Sequence, residues 1–172
     1  MGAAAKGDGR GDPADIERFA DALKPGARLI GIDVGTKTLG LALSDVTRTI
    51  ASGLTTLMRS KFTADAARLL ELAGEHAIGG LVVGLPVNLD GTEGPRVQAT
   101  RAFSRNLAKL TPLPILHWDE RLTTAAAERA LLEADTSRRR RAEVIDKVAA
   151  TLILQGALDR LKALEASRAG TG

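Results

Sequence analysis

The sequence predicts an α/β domain of three layers, a five-stranded mixed sheet with helices on both faces. Two apolar runs, Arg28 to Val34 and Leu39 to Ser44, flank a short glycine turn and read as an antiparallel pair. After a third strand the pattern alternates between helix and strand, which requires parallel pairing through crossover connections. At 172 residues and 44% hydrophobic content, the chain has room for one sizeable core.

The first twelve residues, MGAAAKGDGRGD, are small, polar and glycine-rich and read as disordered. A short helix starting at Asp12 or Pro13 carries Ile16, Phe19, Ala20 and Leu23 on one face and ends at Pro25-Gly26. Residues 1–27 thus form an N-terminal extension, with the helix packed on the domain. Leu29, Ile30, Ile32 and Val34 are too apolar for a half-exposed strand, so this strand belongs at the sheet centre. Gly35, Thr36 and Lys37 form the turn into the second strand.

Thr49 to Met58 suits a weaker strand, and Gly53 within it favours an edge. A helix from about Thr63, read as its N-cap, to Glu75 buries Ala66, Leu69, Leu70 and Ala73. Leu81 to Leu85 is a buried strand closed by Pro86, parallel to the first. Asp90, Gly91, Gly94 and Pro95 mark a turn-rich loop. The next helix, Pro95 to Leu110, sets Arg96, Arg101, Arg105 and Lys109 on a charged outer face. Pro114 to Trp118 forms the fifth strand, and a helix from Thr123 or Thr124 to about Ala134 follows. Asp135 to Arg141 reads as a polar, basic loop before a last helix from about Ala142 to Leu164. The main domain therefore spans 28–164, and 165–172 form a disordered tail.

Composition narrows the chemistry. There are no cysteines, so disulfides, thiolate metal sites and cysteine nucleophiles are excluded, and a reducing cytoplasm is the expected setting. No apolar run reaches the length of a membrane span, and no signal-peptide core is present. Net charge is only +3, but Arg138, Arg139, Arg140 and Arg141 are consecutive, a run suited either to a polyanion or simply to solvent.

Three acids stand out. Asp33 interrupts the central apolar strand, where a carboxylate is costly unless paired or bound to metal. Glu120, with Asp119 beside it, closes the fifth strand. Asp146 sits in the apolar first half of the last helix. Parallel strands bring their C-terminal ends to one edge, where sites on open α/β sheets form. Carboxylates gathered there repel one another unless a cation joins them, and hard oxygen donors select Mg²⁺ or Mn²⁺. Two such ions about 4 Å apart suit phosphoryl transfer. Lys37, Arg121 and the Arg138 to Arg141 run are candidates for gripping phosphates. At 2% aromatic residues, base stacking should contribute little.

The blocks GIDVGTKTLGLALSD, VVGLPVNLDGTEGP, DERLTTAAAE and IDKVAATLILQGALD together resemble the YqgF/RuvX family. The match covers about Arg28 to Leu161. It implies an RNase H-like fold and a metal-dependent nuclease, maturing the end of pre-16S ribosomal RNA or resolving Holliday junctions. It also implies ribosome precursors as partners and assigns Asp33, Glu120 and Asp146 as the acids, with Asp119 a second candidate in its block. Two other classes compete. The glycine turn after Asp33 resembles the phosphate turn of actin-like ATPases, but one domain is too short for that fold. A non-catalytic nucleic-acid-binding module would gain nothing from the three acids.

Overall fold

The computed structural model describes residues 13–122 and 138–170, with side chains described for 16–122 and 147–170. Strands β1 (Arg28–Val34), β2 (Thr38–Ser44), β3 (Ala51–Met58), β4 (Ile78–Leu85) and β5 (Ile115–Asp119) form one sheet in the order β3-β2-β1-β4-β5. β1 is central, as its apolar run requires, and β3 is at an edge. β1 pairs antiparallel with β2 and parallel with β4, and β4 runs parallel to β5. Helices α1 (Pro13–Ala22), α2 (Phe62–Glu75), α3 (Pro95–Ala108) and α4 (Arg138–Gly170) complete the described elements, with a 3₁₀ turn at Glu120–Leu122. The expected helix at 123–134 lies outside the described residues.

Strand alternation divides the core in two. On one face Leu29, Ala42, Val82, Leu116 and Trp118 pack against Ala150, Ile153, Leu154 and Leu158 of α4. On the other, Ile30, Ile32, Leu41 and Val83 pack against Leu69 and Ala73 of α2 and Phe103 and Leu107 of α3. Gly31 explains how closely α4 approaches. A Cβ there would lie 2.6 Å from Leu154 Cβ and 2.9 Å from the Ala150 carbonyl oxygen, so only glycine lets the helix rest on the central strand.

The N-terminal helix does pack on the domain. Ile16 and Phe19 are buried, and each contributes about 1.5–3 kcal/mol by leaving water.

Several element ends differ from those expected. Lys61, not Thr63, is the N-cap of α2, and its side chain makes no cap bond. Buried Asp65 instead accepts hydrogen bonds from the Ser60 amide and hydroxyl, which ties down the helix entry. The last helix begins at Arg138, so the arginine run opens a helix rather than lying in a loop. The same helix continues through residues 165–170, which the sequence assigns to a disordered tail. There Arg168 Nη1 lies 2.9 Å from Asp21 Oδ1 of α1, a tertiary contact invisible to local pattern.

Candidate active site

Asp33 is the penultimate residue of β1 and is half-buried, so its burial cost is lower than a mid-strand position would impose. Alternation puts it on the face of Gly31, under α4. Its β2 partner is Gly40. On the β4 side Ile32 pairs with Val83, so Gly84 is the next residue beside Asp33. Asp33 thus stands between two glycines at the C-terminal end of the parallel strands.

Gly84 also receives Glu120. A Cβ on Gly84 would lie 2.9 Å from Glu120 Oε1 and 2.4 Å from Ile153 Cδ1. The missing side chain is therefore the space in which the Glu120 carboxylate rests. Glu120 and Asp33 come to the same face from β5 and β1, with β4 between them.

The neighbouring acid goes elsewhere. Asp119 pairs with Leu85 and is 3% exposed. Arg121 Nε donates to Asp119 Oδ1 at 3.1 Å and Oδ2 at 3.0 Å, and Arg121 Nη2 donates to Oδ2 at 2.6 Å. The Arg121 amide also donates to Asp119 Oδ1 at 2.9 Å, closing the turn that carries Glu120. Hydrogen bonds to Asp119 push the Arg121 guanidinium above its ordinary range. Arg121, expected to grip phosphate, therefore spends two of its nitrogens on Asp119. Its Nη1 faces the loop at Gly91.

Asp146 lies in α4 one turn before Ala150, and its side chain is outside the described residues. Ala150 and Leu154 close on Gly31 while Ile153 closes on Gly84, two residues nearer the C-terminal ends. α4 thus crosses the sheet face that bears Asp33 and Glu120. The side chains of Arg138, Arg139, Arg140 and Arg141 are likewise outside the described residues. Lys37 is exposed in the β1–β2 turn.

Two cations missed by sequence reasoning lie on the other side of that turn. Arg59, just after β3, donates from Nη1 to the Gly35 carbonyl at 2.7 Å, and its amide donates to the Lys37 carbonyl at 2.8 Å. With Arg96 it lines a cleft beside Gly35 and Thr36. Arg96 directly follows the GTEGP stretch, which was the available signal; nothing local marked Arg59.

The sheet order, helices on both faces and acids at the C-terminal edge define an RNase H-like α/β domain. The sequence profile of the family described as "RuvX: Holliday junction resolvase" matches residues 27–160, and the chain belongs to that family. It is 63% identical over 150 residues to the "Putative pre-16S rRNA nuclease" of Paracoccus denitrificans (strain Pd 1222), covering 87% of this chain and 95% of the relative. A protein of the same description from Methylocella silvestris is 61% identical over 156 residues, covering 89% and 97%. Among solved structures, the yeast mitochondrial Holliday junction resolvase Ydc2 aligns with a TM-score of 0.54 at 14% identity, covering 89% of this chain and 87% of that one. The T. thermophilus RuvC in complex with a Holliday junction substrate aligns at 0.50 and 17%, covering 78% and 96%. At such identities the likeness is one of fold.

Proposed function

We propose that this protein is a divalent-metal-dependent nuclease that hydrolyses phosphodiester bonds in structured RNA and matures the end of pre-16S ribosomal RNA. The observation that carries this reading is the placement of Asp33 and Glu120 on one sheet face, either side of Gly84. The curated relatives, nearly full-length matches named for pre-16S rRNA, point to the substrate. The family description favours a second reading, cleavage of a four-way DNA junction.

The donor set suits Mg²⁺ or Mn²⁺. It consists of carboxylates alone, and a side chain at Gly84 would crowd the Glu120 carboxylate. Asp33 and Glu120, joined by Asp146, would hold the ions. Divalent cations bound there supply charge neutralisation at the phosphate and make water a stronger acid. The chain's own part is to position. Asp33 is rigid because β1 is hydrogen-bonded on both sides. Glu120 is oriented by a turn that Asp119 and Arg121 fasten. Lys37 and the Arg138 to Arg141 run supply sequence-independent phosphate contacts. The chain has no tyrosine and no cysteine, and in this reading water is the nucleophile.

The test is cleavage of precursor 16S rRNA and a four-way DNA junction side by side, with Mg²⁺, with Mn²⁺ and with chelator. Metal-dependent cleavage of the RNA is expected. Cleavage of the junction alone would favour the second reading. Nucleic-acid binding without cleavage of either would overturn the enzymatic one.

A further inference from the structure

We propose that the cleft between the β1–β2 turn and the start of α3 is a subsite for a backbone phosphate of the nucleic acid, gripped by Arg59 and Arg96. The inference rests on the nuclease reading above and extends it to a second contact point. Gly35, Thr36 and Thr100 form part of the lining, and among the described residues no carboxylate lines the cleft. Four arginines elsewhere on the described surface are instead neutralised by acids. Arg101 pairs with Glu93, Arg121 with Asp119, Arg68 with Glu71 and Arg168 with Asp21. Two guanidiniums sharing one cleft repel each other until an anion joins them.

Arg59 is held ready for such a role. Its Nη1 is anchored on the Gly35 carbonyl, and its guanidinium carbon lies 5.9 Å from the centre of the Phe103 ring. That ring is fixed edge-on by Phe62 at 5.5 Å. The rest of the guanidinium fork is oriented before any ligand arrives, so little rotamer freedom is lost on binding. Arg96 stands exposed across the cleft.

The cleft is also in the right place. Val34 lines it on the α3 face, while Asp33 faces α4. Gly35 follows Asp33 by two residues, about 7 Å of extended chain. A nucleic-acid strand draped over the end of β1 would lay one phosphate at the carboxylates and a neighbouring one in the cleft.

The experiment uses the full chain, a fluorescent structured RNA and chelator, and follows binding by anisotropy across salt concentrations. Arg96→Ala should weaken binding about tenfold at low salt and reduce the salt slope by about one. Arg96→Lys should restore the slope. Arg105→Ala, which removes the same charge from the same helix away from the cleft, should leave it unchanged. In Mg²⁺-supported cleavage Arg96→Ala should raise KM far more than it lowers kcat. Arg96 is exposed, so its variants should melt with the parent; Arg59 also braces the turn and is the poorer probe. An unchanged slope in Arg96→Ala, or an equal loss in Arg105→Ala, would overturn the subsite while leaving the nuclease reading intact. A parent protein that binds no nucleic acid would overturn that reading and the subsite with it.

Discussion

Glu120 Oε1 occupies space that a Cβ on Gly84 would claim, the two lying 2.9 Å apart. Gly84 is therefore a part of the site without chemistry of its own. Gly84→Ala should displace the carboxylate and also press on Ile153 Cδ1, only 2.4 Å away. Overpacking of this kind costs about 1–3 kcal/mol. Cleavage should fall by at least tenfold, and adding Ile153→Val should recover much of the melting temperature without recovering activity. Recovery of both would show that the defect lay in packing alone.

Asp33→Asn should abolish metal-dependent cleavage and leave the fold intact. Without metal the variant should melt close to the parent, because Asn keeps the size and polarity of the side chain at a half-buried strand end. The parent should melt higher in Mg²⁺, since a ligand of the folded state alone stabilises it, and the variant should lose that increment. Calorimetry with and without Mg²⁺ reads both effects. A variant retaining full activity would remove Asp33 from the site.

The two adjacent acids should separate in their effects. Glu120→Gln should eliminate activity with little change in melting, as it removes a donor at a partly exposed turn. Asp119→Asn should lower kcat about tenfold and melting by a few degrees, because a buried carboxylate loses its charge-assisted bonds to Arg121. If Asp119→Asn were the inert variant in the thermal melt, Asp119 would not be what holds the turn.

His117 predicts a pH effect unrelated to catalysis. Burial, with Arg101 nearby, pushes the imidazole down to about 4 from its ordinary 6.5. Its Nε2 has no hydrogen-bond partner among the described residues. The fold thus favours the neutral ring, while the unfolded chain takes up a proton below 6.5. The contribution is fully present above pH 6.5 and is lost as pH falls toward 4, by on the order of 3 kcal/mol. His117→Leu should flatten the stability profile between those limits, measured as the difference from the parent by urea unfolding. Parallel profiles would show that the ring titrates normally.

Much of the architecture was legible because it is written in short-range pattern. Four apolar residues around Asp33 demanded a central strand, and the helix between β3 and β4 demanded a parallel crossover. Asp33 drew attention for the same reason, as a polar misfit in an apolar run. The ends of α4 were not legible, because an arginine run fits loop and helix equally and the last turns are held by Arg168 reaching Asp21.

The sequence by itself determined the strand order of events along the chain, the identity of the central strand and which acids were worth attention. Those follow from hydrophobic periodicity, a local property. Only the tertiary structure decided that Asp119 turns to Arg121 while Glu120 turns to Gly84. It alone placed Gly84 beside Asp33 and brought Arg59 and Arg96 into one cleft. The physical reason is register: which side chains share a face depends on how strands pair and where helices cross them, and residues far apart in the chain meet only once that pairing is made.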